Sequence, residues 1–398
     1  MNQTEEKPLV VIRSLVYNHE PYLRDCLEGF VMQQTTFPFV AVVHDDCSTD
    51  GSAAIIREYA ERFPHIIKPV YETENQYSKQ DGSLRRAMDE ACAKYGAKYI
   101  ALCEGDDYWT DPHKLQKQVD FLESHPDFTL AFCNGVIQTP TKRIATHEDY
   151  MEFGWPHLEE AGEVPVEKMI EDRSWMVLTA GMVIRSTVYA ALQKIRKKCT
   201  EVRSGDALIQ AVCAVMGRSY YLCDSMIVYR YQTPGSWSSK NNPRKDQPPQ
   251  RKAPTSRIKA EAALLHAYDI INEFSQQRHE GAIYRAQFCH ARFLIARYSD
   301  SREQFIKALG QYLHYKRVKK YMPLPQGKFD KCLFLLQRFF HYPYHPNGVP
   351  VELVPAVLKH FYKEDGYKVS LRIGPLNLIS FIKNRKRHKL YVVGKEIM

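Results

Sequence analysis

Short apolar runs alternate with amphipathic stretches along the first half of the chain, and this alternation determines the predicted fold. In the amphipathic stretches, apolar residues recur at three- and four-residue spacing, as expected for helices that bury one face. Strands that alternate with helices on short loops predict an α/β fold with a doubly wound, mostly parallel sheet. The predicted strands are 9–16, 39–43, 66–71, 99–103 and 128–133, and the predicted helices are 22–33, 52–63, 83–95 and 114–123.

The pattern changes in the second half of the chain. Apolar strands are predicted at 175–185, 220–223 and 226–231, with a helix that starts near residue 206 and ends at 216. Residues 240–257 are rich in proline and charge, which predicts a linker or, less favoured, a mobile lid. Helical spacing then resumes at 258–276, 281–297, 301–321 and 328–340. We therefore predict an α/β domain over 1–239, a linker over 240–257, and a helical C-terminal region over 258–398 that ends in a basic amphipathic tail, 367–398.

Composition limits the class of protein. The chain has 398 residues, of which 44% are hydrophobic and 25% charged, as expected for a globular protein with a sizeable core. None of the ten cysteines forms a C-x-x-C pair, which argues against a zinc or redox motif. Residues 1–8 lack an apolar signal core, and no apolar run approaches the ~20 residues of a membrane span. We expect a cytoplasmic protein.

Three carboxylates lie within four residues at the end of the strand 99–103. They are Glu104, Asp106 and Asp107. In open α/β sheets ligands bind at this edge, and neighbouring acids repel one another unless a cation compensates them. Oxygen ligands suit Mg²⁺ or Mn²⁺, which usually also hold substrate phosphates. The alternative is a solvated acidic turn, but the apolar strand before the acids and the aromatic pair after them favour a site.

A second acidic loop follows the strand 39–43, at Asp45 and Asp46. Because both strands end at the same crevice, a nucleotide could bridge the two loops. There is no G-x-G-x-x-G after the first strand and no G-x-x-x-x-G-K-S/T anywhere in the sequence. Dinucleotide and P-loop sites are therefore disfavoured.

Three segments together resemble a known family. Residues 16–20 (VYNHE), 45–51 (DDCSTDG) and 104–109 (EGDDYW) are similar, in order and spacing, to the three signatures of the family 2 glycosyltransferases with the GT-A fold. The resemblance covers roughly residues 8–240. It implies an inverting enzyme that moves a sugar from a nucleotide-sugar, most often a UDP-sugar, to a hydroxyl of a glycan or lipid-linked acceptor, as in bacterial surface polysaccharide synthesis.

The resemblance also implies roles for individual residues. Tyr17 would contact the nucleobase, Asp45 would accept a hydrogen bond from it, and Glu20 belongs to the same nucleotide-binding segment. Asp206 matches the family's catalytic base, although an acid at this point could simply cap the helix that follows. The family's DxD element corresponds to Glu104-Gly105-Asp106, with Glu in place of the first Asp. This implies Glu104, Asp106 and Asp107 as metal ligands for Mn²⁺ or Mg²⁺, with Asp106 also on the nucleotide.

Four further residues are predicted on the acceptor or diphosphate side. They are Trp109, Trp175, Gln232 and Trp237. Gln232 is nearest to the position where many family members carry a histidine that helps bind metal and diphosphate. Because glutamine can bond a phosphate but is a poor metal ligand, this position departs from the family's pattern.

The tail, 367–398, carries eight basic side chains against one acidic side chain. Basic residues beside apolar ones suit the anionic inner face of a membrane, so a peripheral membrane position is one interpretation. A solvated basic turn between two strands is the other, and the sequence leaves both open. No nucleic-acid motif or aromatic platform accompanies the charge, so we expect no nucleic-acid partner.

Two alternative functions remain. A nucleotidyltransferase shares the alternating architecture, but it needs a first loop rich in glycine and in lysine or arginine, which residues 16–20 lack. A non-catalytic scaffold that binds a sugar or nucleotide is the other alternative. The presence of both the acid cluster and Asp206 argues against it.

Overall fold

The computed structural model describes the chain in several stretches. These are residues 6–79, 81–139, 143–144, 160–171, 177–198, 205–231, 233–234, 255–276, 278–283 and 286, and the backbone of five strands between 358 and 396. The chain divides into two compact units, Met1–Ala291 with Asp300–Tyr321 and Arg292–Ser299 with Met322–Met398. Each unit has its own sheet.

The first unit contains ten strands and eight helices among the described residues. The strands are β1 (Val10–Val16), β2 (Phe39–Asp45), β3 (Ile67–Tyr71), β4 (Tyr99–Leu102), β5 (Tyr108–Trp109), β6 (Phe128–Gln138), β7 (Arg143–Ile144), β8 (Gly162–Val164), β9 (Met182–Arg185) and β10 (Arg218–Arg230). The helices are α1 (Glu20–Val31), α2 (Ser52–Arg62), α3 (Ser83–Ala93), α4 (Lys114–Ser124), α5 (Val166–Glu171), α6 (Ser186–Lys198), α7 (Gly205–Met216) and α8 (Thr255–Phe274).

The ten strands form one sheet in the order β3-β2-β1-β4-β9-β6-β10-β5, with β7 beside β6 and β8 beside β10 among the described residues. β1 is parallel to β2 and β4, β2 is parallel to β3, and β6 is parallel to β10. β9 runs antiparallel between β4 and β6. The predicted α/β fold with a mostly parallel sheet is confirmed.

The register of the parallel strands positions three loops along one edge. Val16 at the end of β1 pairs with Asp45 at the end of β2. On the other side of β1, Arg13 pairs with Leu102, the last residue of β4. The loops 17–19, 46–51 and 103–107 therefore lie next to one another at the carboxyl ends of their strands, where α/β sheets bind ligands.

Both faces of the sheet are covered by apolar side chains. Val10 and Ile12 pack with Leu23 and Leu27 of α1, whereas Val11 packs with α3 on the opposite face. This alternation follows from the two-residue period of a strand. Central parallel strands are therefore apolar on both sides, which is why the sequence shows them as continuous runs.

The helix α7 lies under the second half of the sheet and is buried from Leu208 to Val215. It shares a core with α6 and with Leu264 and Ile271 of α8. The helix α8 therefore packs within the first unit. Within the described residues, no helix combines the length and apolar character needed to cross a bilayer.

The second unit has five described strands. They are β11 (Leu358–Lys363), β12 (Gly366–Ile373), β13 (Leu376–Asn384), β14 (His388–Val392) and β15 (Lys395–Glu396), paired antiparallel in sequence order. β13 and β14 are neighbours, with Lys383 opposite His388. The basic residues 385–387, for which the sequence left two interpretations open, lie outside the described residues. The predicted helices 301–321 and 328–340, and most of 281–297, lie outside the described residues.

Candidate functional site

Hydrogen bonds join the loop after β1 to the loop after β2. The Asn18 backbone N–H donates to Ser48 Oγ at 3.0 Å, and the His19 N–H donates to Ser52 Oγ at 2.9 Å. In return, the Thr49 N–H donates to Asn18 Oδ1 at 2.8 Å. Side chains of each loop thus accept hydrogen bonds from backbone N–H groups of the other. These bonds hold the two loops together.

Glu20 completes this junction at the start of α1. Its Oε2 accepts the Gly51 N–H at 2.7 Å, and its own N–H donates to Asp50 Oδ2 at 3.0 Å. Asn18 and Cys47 adopt left-handed φ angles of 56° and 61°, which turn the chain sharply within each loop. The Glu20 carboxylate, predicted at the nucleotide, therefore binds loop backbone in this structure.

The two acids after β2 have different environments. Asp46 accepts two backbone N–H groups, from Gln76 at 2.7 Å and from Tyr77 at 3.0 Å. Asp45 is equally buried, but its Oδ1 has no hydrogen-bond partner among the described residues, and its Oδ2 accepts only a long bond of 3.4 Å from Ser48. A buried acceptor without a donor is costly, so Asp45 is suited to receive a donor from a ligand.

Exposed aromatic residues lie on the strands and loops next to Asp45 and Asp46. Tyr17 is 44% exposed, Tyr71 39% and Tyr77 55%, and these are the large hydrophobic residues exposed in the described part of the chain. Tyr71 pairs with Asp45 across β2 and β3, and Tyr17 follows directly on β1. Exposed rings beside an open carboxylate oxygen suit a flat heterocycle that carries an N–H group.

The loop after β4 packs directly against the loop after β1. A Cβ atom on Gly105 would lie 2.8 Å from both His19 Nδ1 and Val16 Cγ2, so only glycine allows this approach. His19 Nδ1 is buried without a hydrogen-bond partner in the described chain. Burial lowers the pKa of His19 despite the charges of Asp106, Asp50 and Asp45. His19, quoted in the sequence only as part of a motif, is thus the contact between the two acidic loops.

Arg230, at the end of β10, fixes the acid loop. Its backbone N–H donates to Asp107 Oδ1 at 2.8 Å, and its Nη1 donates to the Asp106 carbonyl at 2.8 Å. The guanidinium pairs with Asp25 of α1 and lies 4.4 Å from the centre of the Tyr108 ring. The sequence did not assign this role, because Arg230 is more than 120 residues from the loop.

The acids gather closely enough to change one another's protonation. Burial, together with the charges of Asp106 and Asp206, raises the pKa of Glu104 to about 7, against the opposing effect of Arg13. Burial and the charge of Asp106 raise the pKa of Asp107 well above its usual value. Asp206, in the first turn of α7, therefore faces the same cluster as the acid loop.

Tyr229 gives independent support for this grouping. Burial raises its pKa, followed by the charges of Asp107, Asp106 and Asp206. The structure thus brings together the acid loop and Asp206, which are 99 or more residues apart in sequence.

Trp109, predicted on the acceptor or diphosphate side, lies in the core. It is 2% exposed, its indole N–H donates to the Ala180 carbonyl at 2.8 Å, and its ring meets Phe30 edge-on at 5.0 Å. Lys114 Nζ lies 4.1 Å from the ring centre. The aromatic residue after the acids therefore supports the loop from below. Trp175, Gln232 and Trp237 lie outside the described residues.

In the described part of the chain, no group of three His, Cys, Asp or Glu side chains is arranged to hold a metal ion. Mg²⁺ usually takes only one or two carboxylates and completes its shell with water and substrate phosphates. Burial, followed by the charge of Asp106, raises the pKa of Asp107, and a cation would offset both effects. The acid loop therefore fits a cation that binds together with a diphosphate.

Part of the chain matches a known protein family. Residues 14–183 match the model of glycosyl transferase family 2. The uncharacterized protein Rv1520 of Mycobacterium tuberculosis is 33% identical over 228 residues, which span 57% of this chain and 60% of that protein. TuaG of Bacillus subtilis, named as a glycosyltransferase of teichuronic acid biosynthesis, is 32% identical over 119 residues, 30% of this chain and 44% of that protein.

A solved structure, S. aureus TarS 1–349 in complex with UDP, covers 92% of this chain and 97% of its own, with a TM-score of 0.47 and 14% identity. The matched residues 14–183 contain both acidic loops and the strands that carry them. The segment 14–183 is therefore assigned to glycosyl transferase family 2.

Proposed function

We propose that the protein transfers a sugar from a uridine nucleotide-sugar to a hydroxyl of a glycan or lipid-linked acceptor. The acceptor oxygen attacks the anomeric carbon directly, so the configuration inverts and no covalent sugar intermediate forms. The family assignment of residues 14–183 and the name of TuaG, which concerns polysaccharide biosynthesis, support this class of reaction.

The unpartnered Oδ1 of Asp45 is the observation that carries the proposal. A carboxylate oxygen accepts the imide N–H of uracil, whereas the corresponding ring nitrogen of cytosine carries no proton. Tyr17, exposed beside it, would stack on the base. The buried environment of Asp45 excludes water, so this hydrogen bond discriminates strongly between bases.

The acid loop would bind the diphosphate end of the donor through a divalent cation, Mn²⁺ or Mg²⁺. Asp106 and Asp107 are the ligands we propose, with Glu104 beside them. The cation would supply charge stabilisation for the departing diphosphate. Arg230 keeps the loop in position by holding the Asp107 carboxylate and the Asp106 carbonyl.

Asp206 would take the proton of the attacking hydroxyl. Its position in the first turn of α7 stabilises the carboxylate through the helix dipole. Its charge reaches Glu104, so it borders the same cleft as the donor. A general base must lie within hydrogen-bonding reach of its proton, and this arrangement allows that once both substrates are bound.

The test uses purified protein with Mn²⁺, a set of UDP-sugars, and measurement of UDP release. We expect release from at least one donor, abolished by EDTA. Asp206→Asn keeps a helix-capping side chain but loses the base, so it should lower turnover about 10²–10⁴-fold and leave the Kd for UDP unchanged. Near wild-type turnover in that variant would reject Asp206 as the base.

The same assay separates the alternatives. A nucleotidyltransferase would consume UTP and a sugar phosphate and release diphosphate, and a scaffold would bind a UDP-sugar without consuming it. Only release of UDP from a UDP-sugar supports the proposed reaction.

We also propose that the protein works at the inner face of a membrane, where lipid-linked acceptors would be found. Five basic residues, Lys383, Arg385, Lys386, Arg387 and Lys389, fall within seven positions of the sequence. Each is worth about 1 kcal/mol near an anionic surface. Arg385, Arg387 and Lys386 changed to Gln should abolish sedimentation with anionic vesicles at low salt. Equal sedimentation of variant and wild type, or of neither, would overturn this part.

A further inference from the structure

Three arginines converge on the same side of the sheet. Arg13 lies in β1, within an otherwise apolar run, and is 9% exposed. Arg85 belongs to α3 and Arg196 to α6. Burial and the charges of Arg196 and Arg13 lower the pKa of Arg85 to about 10, so the three guanidinium groups are close together.

Two of these arginines have unsatisfied donors. Arg13 Nε is buried without a hydrogen-bond partner, and so are Nε and Nη1 of Arg196, as judged within the described residues. Neither arginine forms an ion pair within 4.0 Å in that part of the chain. Buried guanidinium groups are normally paired, since a missing partner costs the full desolvation of each donor.

Two acids of the described residues lie near this cluster. Asp89 of α3 accepts the Tyr189 hydroxyl, and Arg196 lies 6.0 Å from the centre of the Tyr189 ring. Glu104 acts on Arg13 from the other side. Neither acid is hydrogen-bonded to Arg13 Nε or to Nε and Nη1 of Arg196, so those donors have no partner among the described residues.

The cluster borders the proposed catalytic centre. A Cβ atom on Gly205 would lie 3.8 Å from Arg196 Nη2, and Asp206 is the next residue. On the opposite side, Arg13 is near Glu104 of the acid loop. Arg196 is therefore close to the proposed base, and Arg13 is close to the acid loop.

Three guanidinium groups close together suit an oxyanion as their ligand. The planar fork of arginine matches carboxylate and phosphate oxygens with two parallel hydrogen bonds. An anion would satisfy the donors of Arg13 and Arg196 that have no partner among the described residues. The diphosphate of the donor has a separate partner in the cation of the acid loop.

We propose that Arg13, Arg85 and Arg196 form an anion subsite for a carboxylate or phosphate group that one of the two substrates carries in addition to the nucleotide diphosphate. This inference rests on the proposed function, because it assumes a sugar nucleotide between the acid loop and Asp206. Two sources supply such a group: an acidic donor sugar, or an acceptor with a phosphate near its reacting hydroxyl.

The donor arm of the test compares UDP-glucose with UDP-glucuronate, which differ only in CH₂OH against carboxylate. Binding is measured calorimetrically with Mn²⁺ present. If the anion belongs to the donor, the carboxylate form should bind about tenfold more tightly or better, as expected for charge-assisted hydrogen bonds. Arg196→Gln and Arg85→Gln should each reduce that ratio to near one and leave the Kd for UDP unchanged.

The acceptor arm uses inorganic phosphate on protein with and without saturating UDP, against chloride at equal ionic strength. If the anion belongs to the acceptor, phosphate should raise the melting temperature of wild type and of neither variant. Arg24→Gln is the matched control, because Arg24 is an exposed arginine already bonded to Glu58. It should behave as wild type in both arms. Arg196→Lys keeps the positive charge and replaces Arg196→Gln in the test if that variant does not fold.

The outcomes distinguish the two proposals. UDP has the nucleotide diphosphate but neither the additional carboxylate nor the additional phosphate of the proposed subsite. Failure of wild type to bind UDP would therefore reject the proposed function. UDP binding with no preference for UDP-glucuronate and no effect of phosphate overturns the subsite alone. Variants that weaken UDP as much as UDP-glucuronate also overturn it, because the arginines would then serve the diphosphate.

Discussion

The two acidic loops at the edge of the sheet have the same design and different environments. Each follows a parallel strand and contains adjacent aspartates, Asp45 and Asp46 after β2, and Asp106 and Asp107 after β4. In the first loop Asp46 binds two backbone N–H groups, and Asp45 has an open oxygen. In the second, Asp107 binds one backbone N–H.

The other acid of the second loop is the more open one. The Asp106 carboxylate is half-buried and accepts no hydrogen bond within the described chain, although its carbonyl is held by Arg230. In each pair, therefore, one acid supports the backbone and its neighbour is left for a ligand. The order is the same in both loops: the first acid is open, and the second accepts backbone N–H groups, from Gln76 and Tyr77 in one loop and from Arg230 in the other.

The largest effect should come from the acid loop. Asp106→Asn should lower the rate of UDP release about 10²–10³-fold with little change in melting temperature, because it removes charge at the diphosphate and no internal hydrogen bond. Asp107→Ala should lower both activity and melting temperature, since the Arg230 N–H then lacks its acceptor. Asp224→Ala, at an exposed carboxylate, is the control. A normal rate in Asp106→Asn would contradict the interpretation that Asp106 is the acid left open for a ligand.

Stability measurements should separate the acids of the first loop. Asp46→Ala should lower the free energy of unfolding by about 1–3 kcal/mol, because two backbone N–H groups lose their acceptor. Asp45→Ala should cost little, since its Oδ1 has no partner to lose. Urea unfolding of both variants checks this. Equal losses would mean that Asp45 also supports the loop.

Selectivity for the nucleobase should depend on Asp45 alone. UDP should raise the melting temperature of wild type more than CDP does, and Asp45→Ala should remove the difference, a change of about tenfold in relative affinity. Asp46→Asn, which keeps one acceptor oxygen, should retain the preference. Equal thermal shifts with UDP and CDP in wild type would reject the uracil assignment.

The smallest effect concerns Trp109. Trp109→Phe keeps the ring in the core and removes the hydrogen bond to the Ala180 carbonyl, so it should lower stability by about 1 kcal/mol. Donor and acceptor KM values should not change. A raised acceptor KM at unchanged stability would return Trp109 to the acceptor side, as the sequence predicted.

Local sequence predicted the strands well because continuous apolar runs are a local property. The strand predicted at 9–16 is β1, Val10–Val16, and the one at 99–103 is β4, Tyr99–Leu102. The acid cluster and its position at a strand end followed from the same runs. The family resemblance supplied Asp206, and the structure brings it to the same cleft.

Other features depend on contacts far apart in sequence. Which aspartate of Asp45 and Asp46 is open depends on backbone N–H groups 30 residues later. Arg13 lies in a strand that pattern alone predicts, but its neighbours come from α3 and α6. Trp109 was predicted on the acceptor or diphosphate side, whereas it is buried in the core, where Phe30 and the Ala180 carbonyl contact it. In the last strands, apolar and basic residues alternate over short segments that suit either a sheet or a membrane surface.

The hydrogen bonds between the loops after β1 and β2 have a consequence for how fast the donor binds. Since Asn18, His19 and Glu20 are already bonded to residues 48–52, the nucleobase end of the cleft is built before a nucleotide arrives. Binding there immobilises few additional torsions, which lowers its entropic cost. Association at this end should therefore proceed in a single kinetic phase with a rate constant of about 10⁵–10⁷ M⁻¹s⁻¹, without a slow ordering step.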